Sequence, residues 1–426
     1  MMKTFFFGIA FLLALVSYDV QAGTPEKTPP PAPAPSAGLA KTRMELDRNR
    51  RGDTITLGNL LFENRYNNRQ IAIFGTEFLR FGWRMERLFR LDEFQERWGW
   101  RAILCWFDVK FETAYHEIGH GLRARAFGHQ YQLVPDKSVG GAFKKEERFF
   151  KFYIDKVLGA ARATCRYDDN FTKESESPIL SSKKYCIVFA GGVNNNTYFA
   201  ERICEDIYRH KDLYFMQGFS YLHNRLYLPI YALHARKKDK DPYDVALCWD
   251  SLGIPAKKKD MVSAGFLSFF LSGTTYYILY AARHALWGSG PDPTPPTICG
   301  FRVPDVFSYI TSKGVSYRIT STYTILEGMA FHFGAERVMH GKTATEFHVG
   351  LQQTVTPWYG FSYEGMMTFG EGVNLEGSVH IPIYDFLYVN ISGVLYTDTS
   401  LLGERHSRNL RRDHTVFWFF SVSSRY

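Results

Sequence analysis

The chain has 426 residues, of which 45% are hydrophobic, 16% aromatic and 22% charged. It is long enough for two packed domains and too apolar for an intrinsically disordered protein. The net charge of +8 is modest for this length, and basic residues alternate with acidic ones in "KKEERFFK" and "ARKKDKDP". These runs are typical of solvated surfaces, so we expect no nucleic-acid partner.

Residues 1–22 have the pattern of a signal peptide. Lys3 precedes the uncharged run "FFFGIAFLLALV", and Val20-Gln21-Ala22 places small residues where a signal peptidase cuts. The apolar run is shorter than the ~20 residues of a membrane-spanning helix, which favours cleavage over the alternative of an uncleaved anchor. The sequence therefore predicts an exported protein that is periplasmic or associated with the outer membrane.

Export makes disulfide bonds possible between the cysteines. There are six, and six cysteines allow 15 pairings: Cys105, Cys165, Cys186, Cys204, Cys248 and Cys299. None of them lies in a CxxC spacing. The sequence therefore predicts neither a cysteine zinc cluster nor a thioredoxin-type redox motif.

The next segments predict a tether followed by a helical domain. Residues 23–52 begin with "GTPEKTPPPAPAPSAGLAK" and are expected to form an extended, proline-rich linker. Residues 53–290 have apolar positions at helical spacing, most clearly before residue 135 and again at 145–166, 184–210 and 244–252.

One uncharged stretch of this domain, "MVSAGFLSFFLSGTTYYILYAA" at 261–282, is long enough to cross a bilayer. Its Ser, Thr, Gly and Tyr content suits a buried helix equally well. The sequence leaves both interpretations open.

The pattern changes after "GSGPDPTPPTICG". Residues 300–426 alternate apolar and polar side chains between short glycine-containing turns, which predicts antiparallel strands. Apolar residues also alternate before the terminal Tyr426, at Trp418, Phe420 and Val422. The region is expected to be either a small β-barrel of the outer-membrane type, with apolar side chains toward lipid, or a sheet packed on the helical domain. The predicted fold class is α+β.

The segment "YHEIGHGLRARAFG" carries the clearest chemical pattern. His116 and His120 are four residues apart and project from one face of a helix, so both imidazoles can reach one zinc ion at ~2.0–2.1 Å. Glu117 points into the same cleft, where it can take a proton from a metal-activated water. Gly119 and Gly121 are costly in a helix, which indicates that something approaches closely there.

The flanks of this motif resemble the active-site helix of site-2-protease-like zinc metallopeptidases. Ala124, Arg125 and Gly128 fall where that pattern has small residues and a glycine. The resemblance is limited to short motifs in about residues 100–252. It implies a zinc-dependent peptidase that acts on a protein or peptide substrate.

A second motif of that family is an Ala-Gly-Pro-x-x-Asn element, which "FAGGVNNNTYF" resembles. Ala190, Gly191 and Asn195 are in register, and Gly192 stands in place of the proline. The resemblance implies that Asn195 binds the substrate strand or the developing oxyanion. Read alone, Gly and Asn in this order are typical of a turn.

The third metal ligand is less well defined, because the Leu-Asp-Gly element that supplies an aspartate in this family is absent. "DPYDVALCWDSLG" places Asp244 at the start of a predicted helix, and we prefer it to the neighbouring Asp241. A role for Asp244 as a helix cap alone is the competing interpretation. His234 in "LPIYALHA" ranks second, and Glu201 or Glu205 in "FAERICEDI" ranks third.

The same region departs from an intramembrane enzyme. Asp108, Lys110 and Glu112 precede the HExxH motif and would be costly at the centre of a bilayer. We therefore expect the helical domain to lie at or outside a membrane.

These patterns predict a membrane-associated, zinc-dependent metalloendopeptidase that uses Glu117 as general base. The alternative is an outer-membrane β-barrel-like structural or transport protein with a non-catalytic zinc site. A third hypothesis is that the HExxH match is incidental. Neither a P-loop nor a Gly-x-Ser-x-Gly nucleophile elbow is present in the sequence.

Overall fold

The computed structural model describes residues 54–56, 68–89, 94–134, 149–158, 164–167, 178–210, 213–235, 241–287, 295–326, 328–353, 362–384, 387–397, 399–407, 409–411 and 414–425. The predicted signal peptide, the proline-rich linker and Tyr426 lie outside the described residues. All structural statements below concern the described ranges.

Helices dominate the first two thirds of the described chain. They are α1 (Asn68–Leu88), α2 (Phe94–Ala126), α3 (Phe149–Leu158), α4 (Pro178–His210), α5 (Phe215–His234), α6 (Asp241–Ser251), α7 (Lys258–Phe270) and α8 (Gly273–Trp287), and a short α9 (Leu401–His406) follows much later. A two-stranded sheet of β2 (Tyr131–Val134) and β3 (Thr164–Tyr167) lies among them. The helices expected up to residue 135 and over 145–166 are therefore both wrong at their ends, because residues 131–134 pair with residues 164–167.

The remaining strands form one antiparallel sheet. They are β1 (Thr54–Thr56), β4 (Thr297–Ile298), β5 (Phe301–Arg302), β6 (Asp305–Thr311), β7 (Gly314–Leu326), β8 (Met329–Gly341), β9 (Thr345–Gln353), β10 (Ser362–Gly370), β11 (Val373–Tyr384), β12 (Leu387–Thr397) and β13 (His414–Arg425). The strand order is β1-β13-β12-β11-β10-β9-β8-β7-β5-β4, and β6 pairs with β7. The α+β class is confirmed. In the described residues the order of the antiparallel sheet runs from β1 to β4.

The two longest helices, α2 and α4, cross in the middle of the helical half. Phe111 and Tyr115 of α2 stack with ring centroids 6.0 Å apart, and Phe199 of α4 packs against both rings. All three side chains are fully buried. This aromatic core fixes the relative position of α2 and α4, on which the candidate site depends.

Helix α4 also joins the helices to the sheet. The side chain of Asn194 donates to the carbonyl of Ile310 at 2.7 Å and accepts from the Ile310 amide at 2.9 Å, as a neighbouring strand would. Further along α4, Glu201 accepts a hydrogen bond of 2.9 Å from Arg318 of β7. The helical and β-rich regions therefore share a buried polar interface.

The uncharged stretch at 261–282 forms two helices, α7 and α8, bent by 62° relative to each other. No individual helix in the described ranges combines the length and apolarity needed to cross a membrane, although this bent pair does so jointly. All six cysteines are in described segments, and none forms a disulfide bond.

Candidate metal centre

Three side chains converge where α2 meets the first residue of α6. The Nε2 atoms of His116 and His120 are 3.3 Å apart, and they lie 2.9 and 3.2 Å from Oδ2 of Asp241. The potential ligand atoms of all three residues lie within 4.8 Å of one another. Both histidines are buried, at 4% and 5% exposure, so this cluster is largely withdrawn from water.

The outer nitrogen of His120 is held by backbone. Its Nδ1 lies 2.8 Å from the carbonyl oxygen of Val188. Because a carbonyl can only accept, Nδ1 carries the hydrogen of the neutral ring, and Nε2 presents its lone pair to the cluster.

His116 is held by a chain of amides that reaches a carboxylate. Its Nδ1 lies 2.9 Å from Oδ1 of Asn196, whose Nδ2 donates to Asn224 at 2.8 Å. The Nδ2 of Asn224 donates in turn to Glu112 and, at 2.9 Å, to the carbonyl of Ser220. Since that carbonyl only accepts, the direction of every donor along the chain is fixed, and Nδ1 of His116 is the donor to Asn196.

Both neutral imidazoles thus direct a lone pair at the oxygen of Asp241. Three acceptors facing one point repel each other unless a cation lies between them. A metal site requires this arrangement. Without a metal ion, a proton lies between the three acceptors.

The electrostatics agree with that geometry. Burial lowers the pKa of His120, but the carboxylates of Asp241 and Glu117 outweigh it and raise the value to about 9. Burial acts to raise the pKa of Asp241, yet His120 and His116 hold it well below its usual range. The cluster therefore favours a bound positive charge over a vacant site.

Gly192 provides the space in front of the two histidines. A Cβ at this position would lie 2.5 Å from Nε2 of His120 and 2.6 Å from Nε2 of His116. In this chain a side chain at position 192 would clash with both Nε2 atoms, which gives a physical reason for glycine there.

The predicted close approach at Gly119 is confirmed. A Cβ on Gly119 would lie 2.4 Å from the carbonyl oxygen of Gly191, and one on Gly191 would lie 2.5 Å from that of Gly119. The backbones of α2 and α4 are therefore in direct contact beside the histidines. This contact brings Gly192 and Asn196 of α4 within reach of the two imidazoles.

Glu117 is half-buried on the same helix as the histidines. Its charge contributes to the raised pKa of His120. Burial raises the pKa of the Cys165 thiol well above its usual value, and the charge of Glu117 is the next cause. The carboxylate is thus within electrostatic range of His120 and of Cys165 in strand β3.

Two tyrosines of α5 form a wall beside His116. The ring centroids of Tyr227 and Tyr231 lie 5.2 and 6.0 Å from the imidazole. Burial and the charge of Asp241 raise the pKa of Tyr227 well above its usual range, so its phenol stays neutral. These rings limit the access of water to the cluster.

The third residue of the triad differs from the one that the sequence analysis predicted. The structure places Asp241, and not Asp244, at the two histidines. Helix α6 begins at Asp241, three residues before the predicted start, so Asp244 is half-buried almost one turn further along. The sequence therefore predicted an aspartate in the first turn of this helix, but placed the start of the helix three residues too late.

The other two candidates lie elsewhere. His234 is exposed at the end of α5, where its Nδ1 lies 2.8 Å from the carbonyl oxygen of Ile230. Glu201 accepts hydrogen bonds from Arg318 and Tyr309 at the sheet, and Glu205 pairs with Arg202. These partners explain the burial of Glu201 and the half-buried position of Glu205 without a metal.

The asparagine run divides into three separate roles. Asn194 binds the backbone of β6, and Asn195 donates to the carbonyl of Tyr115 at 2.7 Å. Asn195, expected at the substrate, therefore ties α4 to α2, and Asn196 is the asparagine that contacts His116. Neither Asn196 nor Asn224 was predicted. The run "NNN" was the only local signal, and it does not reveal which residue faces α2.

Comparison with family models, curated proteins and solved structures found no match to this chain. The functional assignment therefore rests on the geometry and chemistry of the site.

Proposed function

We propose that this chain is a zinc-dependent metalloendopeptidase that hydrolyses a protein or peptide substrate, as its resemblance to site-2-protease-like enzymes implies. One observation carries the proposal. His116, His120 and Asp241 converge at a single point, and Glu117 lies on the same helix as both histidines.

The donor set fits zinc. Two imidazole nitrogens and one carboxylate oxygen are a ligand set of catalytic zinc sites, in which a fourth position stays open. Magnesium and calcium prefer oxygen ligands, so the two histidines favour a transition metal. The space left by Gly192, which a Cβ would fill, supports the same conclusion.

When bound, zinc would polarise the scissile carbonyl and increase the acidity of water. Glu117 accepts the proton of the attacking water and passes it to the leaving amine. Asn196 and the carbonyl of Val188 accept hydrogen bonds from the Nδ1 atoms, and these contacts orient both Nε2 atoms toward the ion position. Tyr227 and Tyr231 exclude bulk water from one side.

The test is the variant Glu117→Gln, which keeps the shape of the side chain but cannot accept the proton. We expect zinc content to be unchanged and cleavage of a peptide library to fall by roughly 100-fold or more. Glu371→Gln, at an exposed glutamate that pairs with Lys313, is the matched control and should cleave like the parent. Equal cleavage by parent and Glu117→Gln would exclude the proposed role of Glu117.

A second candidate is a membrane structural or transport protein with a non-catalytic zinc site. Exposed apolar side chains of the sheet, such as Phe347 and Trp418, favour it, since a soluble enzyme does not need them. It predicts that the parent chain binds zinc and cleaves no peptide in the library.

A further inference from the structure

The large sheet has two faces of opposite polarity, and the polar one is buried. Arg318 of β7 pairs in register with Glu336 of β8, which pairs with Glu346 of β9. All three are at most 5% exposed. Arg405 of α9 binds Glu336 through two hydrogen bonds of 2.6 Å, and the amides of Leu401 and Leu402 donate to Glu346, so this inner face holds a group of buried charged side chains with hydrogen-bond partners.

The opposite face is apolar and exposed. Because side chains alternate along a strand, the residues next to the buried polar ones point the other way. One outward residue from each of six strands shows the pattern, with exposures of 38% to 67%: Ile319, Phe331, Phe347, Met367, Leu375 and Trp418. In the outward register of the described parts of β8–β13, Arg337 is the one residue with a lysine, arginine or carboxylate side chain, and it lies near the β8–β9 turn.

This polarity is the reverse of that in a water-soluble protein. An antiparallel sheet in water places its apolar face on the core and its polar face toward solvent. Here charges are paired inside, and a contiguous apolar surface extends over neighbouring strands outside. A contiguous apolar surface whose one charged residue lies near a turn marks contact with another apolar phase.

The dimensions point to lipid as the occupant. Strands β7 to β13 contain 9 to 13 residues each. About 9–11 tilted residues are enough to cross the hydrocarbon of a bilayer. A folded protein partner would be matched by polar groups and hydrogen-bonding side chains within the surface, whereas hydrocarbon matches a surface without charge.

Helix α7 lies at one edge of the same sheet. Its Ser268 lies 3.1 Å from Ser308 of β6, which pairs with Tyr317 in the outward register of β7. On its free side, Phe270 is 57% exposed and the adjoining Leu271 is 55% exposed. Helix α7 therefore packs beside this edge of the sheet and exposes apolar side chains of its own.

We propose that the outward face of β7–β13, together with the exposed side of α7, contacts the hydrocarbon of a lipid bilayer. This surface is separate from the metal centre and does not depend on hydrolysis. It would hold the helical half at a membrane, so that any substrate is met there.

Trp418 offers a direct test, since it is 67% exposed on the outward face. The full chain is purified in detergent and reconstituted into phosphatidylcholine and phosphatidylglycerol vesicles with brominated acyl chains. We expect bromine to quench part of the tryptophan fluorescence of the parent. The Trp418→Phe variant should show no such quenched fraction. Trp106→Phe, at a 46% exposed tryptophan of α2, should keep the quenched part.

Flotation of the same vesicles provides a second measurement. The parent should float with them in 1 M salt, and Phe347→Glu combined with Leu375→Glu should lose most of the floating fraction. Ile154→Glu, at a 52% exposed residue of α3, is the control and should float like the parent. Circular dichroism establishes that each variant is folded. Quenching that is equal in parent and Trp418→Phe would overturn the proposal, as would a parent that is monodisperse without detergent, whether as a monomer or a dimer.

Discussion

At the scale of single residues, the spacing in the sequence was sufficient to predict that the two histidines and Glu117 lie together on one helix. Residues at i and i+4 share a helix face whatever the rest of the fold does. The third ligand was not predictable in the same way, because Asp241 and Asp244 both lie in the first turn of α6. They differ by ~4.5 Å along the axis, and only the packed position of α6 selects between them.

The space at Gly192 leads to a prediction at this scale. Gly192→Ala places a methyl group where an ion would bind, so we expect zinc affinity to fall by at least roughly tenfold, as a loss of ~1.4 kcal/mol implies. A chelator competition titration measures this. The control is Gly99→Ala in α2, where a Cβ would meet nothing within 4 Å. Parent-like affinity in Gly192→Ala would show that the ion does not occupy this space.

At the scale of elements, the sequence located α2 and most of α4 from their periodicity. What it could not show is the crossing of the two helices, which depends on backbone contact between Gly119 and Gly191. Strand β3 was missed for a similar reason, since four residues adopt an extended form only because they pair with β2. Long-range pairing overrides local propensity in such short segments.

The amide chain that joins α2, α4 and α5 gives a prediction for these elements. Asn196→Leu removes the acceptor of His116 Nδ1, so the imidazole loses its fixed tautomer and orientation. Loss of such an outer partner typically lowers metal affinity by about 10–100-fold. Asn196→Asp keeps an acceptor at that position and should retain more of the affinity. An equal loss in both variants, or none in either, would contradict the proposed orientation of His116.

At the scale of the whole molecule, the structure confirms the predicted α+β class and the antiparallel sheet in the C-terminal part, although strands β1 to β4 lie before residue 300. Alternation of apolar and polar residues was visible in the sequence, but alternation alone does not say which set faces inward. The buried pairs between the sheet and its helices decide it: Arg318 with Glu201 and Arg405 with Glu336. The sequence did not predict charged side chains at the centre of the molecule. Each is stable there only beside its partner, and the fold brings the partners together.

The contact between Arg318 and Glu201 joins the two regions and should be costly to break. Arg318→Leu leaves the glutamate buried without its main partner, so we expect the free energy of unfolding to fall by about 3–5 kcal/mol. Adding Glu201→Leu should restore part of this loss. Urea denaturation in detergent compares the variants. A double variant no more stable than Arg318→Leu would show that the ion pair is not what joins sheet and helices.

The zinc content of Asp241→Ala and Asp244→Ala tests the central claim most directly. The two aspartates are three residues apart in one helix turn, so both substitutions disturb α6 to a similar extent, but only Asp241 lies at His116 and His120. Full-length protein is loaded with metal, dialysed and analysed for zinc and iron. We predict about one zinc ion per chain in the parent and in Asp244→Ala, and loss of the zinc in Asp241→Ala. Zinc retained by Asp241→Ala, lost from Asp244→Ala, or replaced by iron in the parent would contradict this account.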